Sequence, residues 1–292
     1  MENERTSRTL RLIMPQWQGG NGNNLDYHFG SRLLAWLAPE SDDETIEVPI
    51  DTGLMNHEKE DGILAKQQLI KQANEAFDIL QNKQPDRVVV LGGECSVELV
   101  PFAYLLEKYK DDVAILWIDA HPDIKTPEYL PNYQAMVLAT LLGEGDDDFA
   151  SLVPTRISPS NVVFAGINKE IEKEPHVYQK YNFNNVSSRD FESSSGKILD
   201  LLKATGVSRV AVHFDLDVLD LQEFRSQGGA KPGRYEKNVR EWPKGSSIKS
   251  VGRLIQDVSE EFDVVGLGIT EHLPWDAIAL SNLLSSLPLL RK

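Results

Sequence analysis

The sequence predicts an α/β fold in which helices cover both faces of a parallel β-sheet. Apolar, β-branched runs recur along the 292 residues. Most of these runs are continuous rather than alternating, as in strands that are buried on both faces. Segments of helical composition separate them, and alternating strands and helices are typical of a parallel sheet. Such sheets bind ligands beyond the carboxyl ends of their strands, so the residues that follow each run are the candidates for a site.

Eight strands and six longer helices are predicted in this order. The strands are Leu10–Met14, Ile46–Ile50, Arg87–Leu91, Val113–Ile118, Val162–Ala165, the weaker Asn184–Val186, Val210–Phe214 and Val264–Leu267. The helices are Gly62–Gln84, Ser96–Lys110, Tyr133–Leu142, Arg189–Thr205, Ser247–Phe262 and Asp276–Leu290. Ser96 is expected to cap the second helix. Polar, glycine-rich or proline-rich stretches predict loops, and the long one at Gln227–Gly245 is expected to be a surface loop or an oligomer contact.

Composition limits the class of partner. The net charge of −15, from 30 basic and 45 acidic side chains, disfavours binding to nucleic acid or to an anionic membrane. The acidic runs Glu58–Asp61 and Asp146–Asp148 are interpreted as solvated surface. A single cysteine excludes an intrachain disulfide, and no run approaches the ~18–20 apolar residues of a membrane span. Because Met1–Arg5 lacks the features of a secretory signal, we expect a cytoplasmic location. None of the predicted loops looks like a linker between independent domains, so we expect one domain over residues 1–292.

Metal-type residues follow two of the predicted strands, and Glu271 follows a third. Asp119, His121 and Asp123 are spaced by two, as are Asp215 and Asp217, so each set would project to one side if its strand continued. Two unit charges ~4 Å apart repel by roughly 4 kcal/mol at an effective dielectric of about 20. If the strands are neighbours, their carboxylates therefore require cations, and carboxylates with an imidazole suit manganese, zinc, cobalt or iron.

The same segments resemble the motifs of the arginase/agmatinase (ureohydrolase) family. Asp119–Asp123 resembles the family's Asp-Ala-His-x-Asp motif, and Asp215–Asp220 resembles its second aspartate motif. Gly92–Ser96 is similar to its Gly-Gly-Asp-His-Ser motif, and Gly266–Pro274 to its terminal glutamate motif. The order and spacing match over roughly residues 85 to 275.

The resemblance implies a three-layer α/β/α sandwich with about eight parallel strands, and two manganese ions bridged by hydroxide. Asp119 and Asp215 would bridge the metals. Cys95 and Asp123 would complete the first site, and His121 and Asp217 the second. Asp123 would also transfer a proton, and Glu271 would hold a planar guanidinium with two parallel hydrogen bonds. The resemblance further implies a small guanidino or amidino substrate and a homo-oligomer, either a trimer or a hexamer.

Several residues depart from the family pattern. Cys95 stands at a histidine position, so it is either a softer ligand that shifts the first site towards Zn²⁺ or Fe²⁺, or a buried thiol without a ligand role. In Asn132–Met136, which resembles a segment at the mouth of the family's site, Gln134 replaces a histidine that would shuttle protons, and glutamine does not titrate. Asn132 belongs to the same predicted substrate-binding segment. Lys125 stands at an asparagine position, where it either binds an anionic substrate end or is a solvated loop lysine.

Three functional hypotheses follow. The leading one is a binuclear-metal hydrolase that cleaves a C–N bond of a guanidino or amidino compound. The second is a degenerate ureohydrolase that binds metal or ligand without efficient catalysis. The third keeps the enzyme but has Lys125 select an acidic amidine such as formiminoglutamate. His213 shares a strand face with Asp215 and is either an additional ligand or, as we favour from the sequence, a side chain filling the core one layer deeper.

Overall fold

The computed structural model describes residues 7–20, 25–53, 58–167 and 179–289. Its strands are β1 (Thr9–Met14), β2 (Glu44–Glu47), β3 (Lys59–Glu60), β4 (Ile63–Leu64), β5 (Arg87–Gly92), β6 (Val113–Ile118), β7 (Val162–Ala165), β8 (Asn184–Val186), β9 (Arg209–Asp215) and β10 (Asp263–Thr270). Eight of them form one sheet in the order β2-β1-β5-β10-β9-β6-β7-β8, and every neighbouring pair is parallel. Strands β3 and β4 form a separate antiparallel pair. The predicted α/β class and eight parallel strands are confirmed.

Helices lie on both faces of the sheet. They are α1 (Asp26–Leu37), α2 (Lys66–Lys83), α3 (Leu99–Tyr109), α4 (Val137–Leu141), α5 (Asp147–Ala150), α6 (Ser188–Phe191), α7 (Gly196–Thr205), α8 (Tyr235–Glu241), α9 (Ile248–Glu261) and α10 (Trp275–Ser286). No helix in these described ranges is both long and apolar enough to cross a membrane.

Strand β6 shows why its sequence is continuously apolar. All six of its residues are buried. Ile115 and Trp117 belong to the hydrophobic cluster that includes α2 and α3, whereas Leu116 and Ile118 belong to the cluster that includes α7 and α9. Because side chains alternate across a strand, a strand between two helical layers needs apolar residues at every position.

The predicted helix Gly62–Gln84 starts too early, because Ile63–Leu64 is strand β4 and α2 begins at Lys66. Two other predicted helices differ more. Arg189–Thr205 is not one helix but two, α6 and α7, and the break falls at Ser193–Ser195, where the Ser194 hydroxyl accepts a hydrogen bond from the Gly196 amide. Serine side chains compete for backbone groups in this way and so favour helix ends. Ser96 does not cap α3, because residues 95–98 form a 3-10 turn whose cap is the side chain of Glu94, which accepts from the Ser96 amide.

The prediction of a surface loop at Gln227–Gly245 was also wrong in part. This segment contains α8, and five of its residues line a cavity of about 400 Å³ at the carboxyl edge of the sheet: Gly228, Gly229, Lys231, Arg234 and Trp242. His28 stands outside the motifs, so the sequence alone predicts an ordinary surface or loop residue; it lies within α1 with Nδ1 3.2 Å from the carbonyl oxygen of Pro15. The same prediction for His57 and His176 concerns positions outside the described residues.

Candidate metal centre and active site

Four neighbouring strands bring the predicted residues together. Strands β5, β10, β9 and β6 are consecutive in the sheet. Cys95 follows β5, Glu271 follows β10, Asp215 ends β9 and Asp119 follows β6, and all four side chains are buried. Parallel strands end at the same edge, so residues far apart in sequence meet there. This convergence is the arrangement on which the metal hypothesis depends.

Asp119 is placed by a turn rather than by a continuing strand. Strand β6 ends at Ile118, and Asp119 Oδ1 accepts a hydrogen bond of 2.7 Å from the His121 amide. Asp119 Oδ2 accepts from the indole Nε1 of Trp117 at 3.1 Å. His121 Nδ1 then lies 3.6 Å from Asp119 Oδ1 and 3.0 Å from Asp217 Oδ2. The strand does not continue through Asp119–Asp123, so a turn rather than an extended strand brings these side chains together.

Asp215 repeats this turn on the neighbouring strand. Its Oδ1 accepts a 2.6 Å hydrogen bond from the Asp217 amide, and residues 216–218 form a 3-10 turn. Its Oδ2 lies 3.2 Å from Cys95 Sγ, which is also 3.8 Å from Glu271 Oε1. The thiol thus points at the carboxylates of Asp215 and Glu271. Asp220 lies outside the cluster and accepts from the Gln222 amide, as expected for a turn residue.

Two of the site carboxylates stand on left-handed backbone. Asp123 has φ of 44° and Glu271 has φ of 66°. Non-glycine residues adopt this region infrequently, and such residues concentrate at functional sites. The Asp123 carbonyl accepts from the amides of Leu138 and Ala139 at the start of α4, and the Glu271 amide donates to the Gly93 carbonyl at 2.8 Å. These hydrogen bonds hold the two turns and direct both carboxylates towards the cluster.

The electrostatics of the cluster are unfavourable without added cations. Burial, reinforced by neighbouring carboxylates, raises the pKa of Asp123, of Asp215 and of Glu271 well above the usual range. Asp119 behaves in the opposite way. Burial alone would raise its pKa, but the neighbouring imidazoles of His121 and His213 lower it. Carboxylates that resist ionisation when packed together are the ones that a bound cation would stabilise.

Donor atoms with no protein partner remain inside the site. Asp123 Oδ2 and Asp217 Oδ1 are buried and accept no hydrogen bond. Buried polar atoms are normally satisfied, so unpaired oxygens beside a cavity indicate a missing ligand. Ligand atoms lie within 4.8 Å of one another in three overlapping groups: Cys95, His213 and Asp215; Asp119, Asp123 and His213; and Asp119, His121 and Asp217. Carboxylate, imidazole and thiolate donors at this spacing fit divalent transition metals.

His213 and Glu98 form a buried pair that contacts the site carboxylates, which the sequence did not predict. His213 is fully buried, and its two ring nitrogens lie 2.7 Å from Glu98 Oε2 and 3.3 Å from Asp119 Oδ2. We expected His213 to fill the core, and nothing in the sequence marked Glu98. Glu98 lies in a segment of helical composition that begins near Ser96, so the sequence does not distinguish it from a helix residue. Its hydrogen-bond partner, His213, lies 115 residues away on β9.

A cavity of about 400 Å³ opens over the cluster. Cys95, His121, Asp123, Asp215, Asp217 and Glu271 line its floor, and Tyr27, Lys125, Gln134, Lys231 and Arg234 line its walls. The hydroxyl of Tyr27 hydrogen-bonds to Glu271. Gln134 Oε1 is buried and accepts no hydrogen bond. Sequence reasoning missed Tyr27, Lys231 and Arg234, which lie outside the recognisable motifs.

The predicted substrate residues separate into two kinds. Lys125 and Gln134 face the cavity, and Lys125 is half-buried rather than a fully solvated loop lysine. Asn132 differs from its predicted role in substrate binding. It is absent from the described cavity lining, and its Nδ2 donates to the Gly20 carbonyl at 2.5 Å. The side chain of Asn132 therefore ties the cavity wall to the loop after β1, and the structure gives it no direct contact with the cavity.

A model of the arginase family matches residues 35–237, a range that includes both aspartate motifs but not Glu271. Arginase from Entamoeba histolytica is 27% identical over 152 residues, which cover 50% of this chain and 51% of that protein. Arginase from Staphylococcus aureus (strain COL) is 28% identical over 183 residues, which cover 60% of this chain and 58% of that protein. The chain thus matches between half and three fifths of the length of these two relatives.

Solved structures share the fold over a greater length. Entamoeba histolytica arginase in complex with L-ornithine has a TM-score of 0.76 at 18% identity, covering 92% of this chain and 91% of that one. Formimidoylglutamase from Bacillus subtilis has a TM-score of 0.63 at 14% identity, covering 91% of this chain and 79% of that one.

Proposed function

Because this chain belongs to the arginase family, we propose that it is a binuclear-metal hydrolase that cleaves a C–N bond of a guanidino or amidino compound. The observation that carries the proposal is the convergence of buried carboxylates from three strand ends on one cavity, with Asp123 Oδ2 and Asp217 Oδ1 left without protein partners. A site of this kind needs cations to be ionised at neutral pH.

The metal ligands are assigned as follows. Asp119 and Asp215 would lie between two divalent ions, with Cys95 and Asp123 completing the first site and His121 and Asp217 the second. Manganese is the expected metal at the second site, and the soft sulfur of Cys95 favours zinc or iron at the first. When bound, the two ions would lower the pKa of a water held between them and so supply a nucleophile at neutral pH.

The remaining residues bind the substrate and move protons. Glu271 would accept two hydrogen bonds from a planar guanidinium or amidinium, and the Tyr27 hydroxyl orients its carboxylate. Asp123 Oδ2 is free to take a proton and transfer it to the leaving amine. Gln134 cannot shuttle protons, but its unpaired Oε1 can accept a hydrogen bond from a substrate N–H.

The cavity favours a substrate with an anionic far end, which is our second candidate. Lys125, Lys231 and Arg234 line the same cavity as the carboxylates. A molecule with a cationic head for Glu271 and a carboxylate tail would match both charges. An acidic amidine such as formiminoglutamate, or a guanidino acid, has this form, whereas agmatine carries an ammonium at its far end.

The test is a substrate panel with metal-loaded protein. Purified protein with added Mn²⁺ or Zn²⁺ is incubated with arginine, agmatine, 4-guanidinobutyrate and formiminoglutamate, and release of urea, formamide or ammonia is measured. We expect turnover of the two acidic compounds, and Arg234→Met should raise KM for them by up to roughly fivefold, the effect of one exposed charge. Lys237→Met, on the same segment but outside the cavity lining, is the control. No turnover of any compound by metal-loaded protein would support the non-catalytic alternative instead.

A further inference from the structure

We propose that His213 Nε2 is a ligand of the first metal ion and that Glu98 is the carboxylate that orients it. This inference rests on the proposed metal centre and adds two residues to it. His213 is the member shared by both candidate ligand groups around the first site, one with Cys95 and Asp215 and the other with Asp119 and Asp123. An ion in contact with both groups would therefore lie against this imidazole.

The geometry agrees with a common ion. The 3.3 Å between His213 Nε2 and Asp119 Oδ2 is within the roughly 4.2 Å that can separate two ligands bound at about 2.1 Å to one metal. His213 and Asp215 are two residues apart on β9 and project to the same face. The imidazole thus approaches the first site from the sheet, below the thiol of Cys95.

Glu98 fixes the ring for this role. Its Oε2 lies 2.7 Å from His213 Nδ1 and accepts a hydrogen bond from the N–H at that nitrogen. The lone pair of a neutral ring is then on Nε2, which faces a carboxylate oxygen of Asp119. Two acceptors at 3.3 Å repel unless a proton or a metal cation lies beside both, and metal-binding histidines commonly donate their other N–H to a carboxylate in this manner.

The surrounding strands are shaped to hold this pair. Trp117 on β6 is in register with His213 and stacks on its ring, with centroids 3.7 Å apart. On the other side, Gly268 of β10 is also in register with His213. A side chain at Gly268 would begin 1.9 Å from Glu98 Oε1, so glycine leaves the space that the carboxylate occupies. Strands β6, β9 and β10 and the 3-10 turn before α3 therefore together fix the position of the His213 imidazole.

The His213–Glu98 pair would compensate for the nitrogen ligand that Cys95 does not supply. A thiol at that position supplies a softer donor than an imidazole, and His213 would return a nitrogen ligand to the same ion from the neighbouring strand. The first site would then have one sulfur, one nitrogen and three carboxylates available to it. We infer that the cysteine and the buried histidine–glutamate pair act together.

Metal titration of the purified protein tests the assignment without measuring activity. Chelator-treated wild type, His213→Gln, Glu98→Gln and the control His28→Gln are titrated with Mn²⁺ and with Zn²⁺ by calorimetry. We expect two equivalents for wild type and for His28→Gln. His213→Gln should lose the first-site equivalent or bind it at least 100-fold more weakly. Glu98→Gln should weaken the same site by about 10–100-fold and leave the second unchanged.

A second variant controls for misfolding, because His213→Gln leaves Glu98 buried without its hydrogen-bond partner and could unfold the protein. The double variant His213→Gln with Glu98→Gln replaces the pair by two neutral amides that can still hydrogen-bond to each other. It should remain folded in chelator, and the rise in Tm that Zn²⁺ produces in wild type should shrink.

Two results would overturn the assignment. If His213 instead holds a proton between Glu98 and Asp119, replacing it would leave metal binding unchanged or tighten it, because a competing cation is removed. Wild-type protein that binds no divalent ion would overturn it as well. Absence of amidine or guanidine turnover in wild type that binds two ions would contradict the proposed function alone.

Discussion

Two clusters of carboxylates in this molecule have opposite surroundings. The Lys66 cluster consists of Asp61, Asp146 and Asp148 around Lys66, whose Nζ lies 2.7–2.8 Å from an oxygen of each. The site cluster at the carboxyl edge of the sheet instead contacts two histidines, His121 and His213. A lysine supplies a fixed charge to its neighbours, whereas an imidazole offers a lone pair that a metal can take. The difference separates a structural ion cluster from a candidate metal site.

Burial and charge explain the Lys66 cluster. Burial alone would lower the pKa of Lys66, but hydrogen bonds to Asp146, Asp148 and Asp61 outweigh it and raise that pKa. Asp146, with a side chain only 8% exposed, also caps α5 by accepting from the amides of Asp148 and Phe149. The interpretation of Asp146–Asp148 as solvated surface was therefore wrong for Asp146. The other two carboxylates of the Lys66 cluster, Asp61 and Asp148, are exposed.

The largest expected contrast comes from removing one carboxylate in each cluster. Asp215→Asn should reduce bound metal from two equivalents to one or none and lower hydrolysis by at least about 10²-fold, because it removes a charged group at the reacting centre. Asp146→Asn should leave both quantities unchanged. Metal analysis and steady-state kinetics measure them. Retention of two ions by Asp215→Asn would contradict the bridging role.

The next contrast concerns stability. Lys66→Met should lower the free energy of unfolding by about 3 kcal/mol, at the lower end for breaking a buried ion pair, since two of the three partners stay solvated. Urea denaturation measures this change, and metal binding at the site cluster should not alter. Lys71→Met, an exposed lysine on the same helix, is the matched control. A loss as small as that of the control would mean that the carboxylates do not stabilise α2.

The smallest expected effect is at the exposed rim of the Lys66 cluster. The side chain of Asp61 is 63% exposed, so Asp61→Asn should cost no more than about 1 kcal/mol. Its effect should diminish with added salt, because exposed ion pairs are screened. Urea denaturation at low and high ionic strength checks both points. An effect equal to that of Lys66→Met would show that the three carboxylates act as one unit.

The fold could be predicted closely from the sequence. Strand β6 begins and ends at the predicted residues, and the weakly predicted β8 is present. These strands are recognisable because burial on both faces leaves a continuous apolar run. The helix boundaries were less predictable where serine side chains compete for backbone groups, as at Ser193–Ser195.

The candidate site was predictable only in part. Asp119, His121, Asp123, Asp215 and Asp217 stand in short motifs, so their residue types and spacing are visible in sequence. Lys231 and Arg234 are not, because they reach the cavity from a segment with no motif of its own. The direction of Asn132, towards a backbone carbonyl at Gly20, depends on how two loops pack together.

The sequence by itself determined the parallel sheet, the family and the metal-type residues at the strand ends, because periodicity and short motifs are local properties of a chain. Tertiary structure alone decided that Lys66 neutralises one acidic group and that His213 and Glu98 accompany the other. The reason is that electrostatic environment depends on distance in space. Which cation meets a carboxylate is fixed only when strands and helices far apart in sequence are packed together.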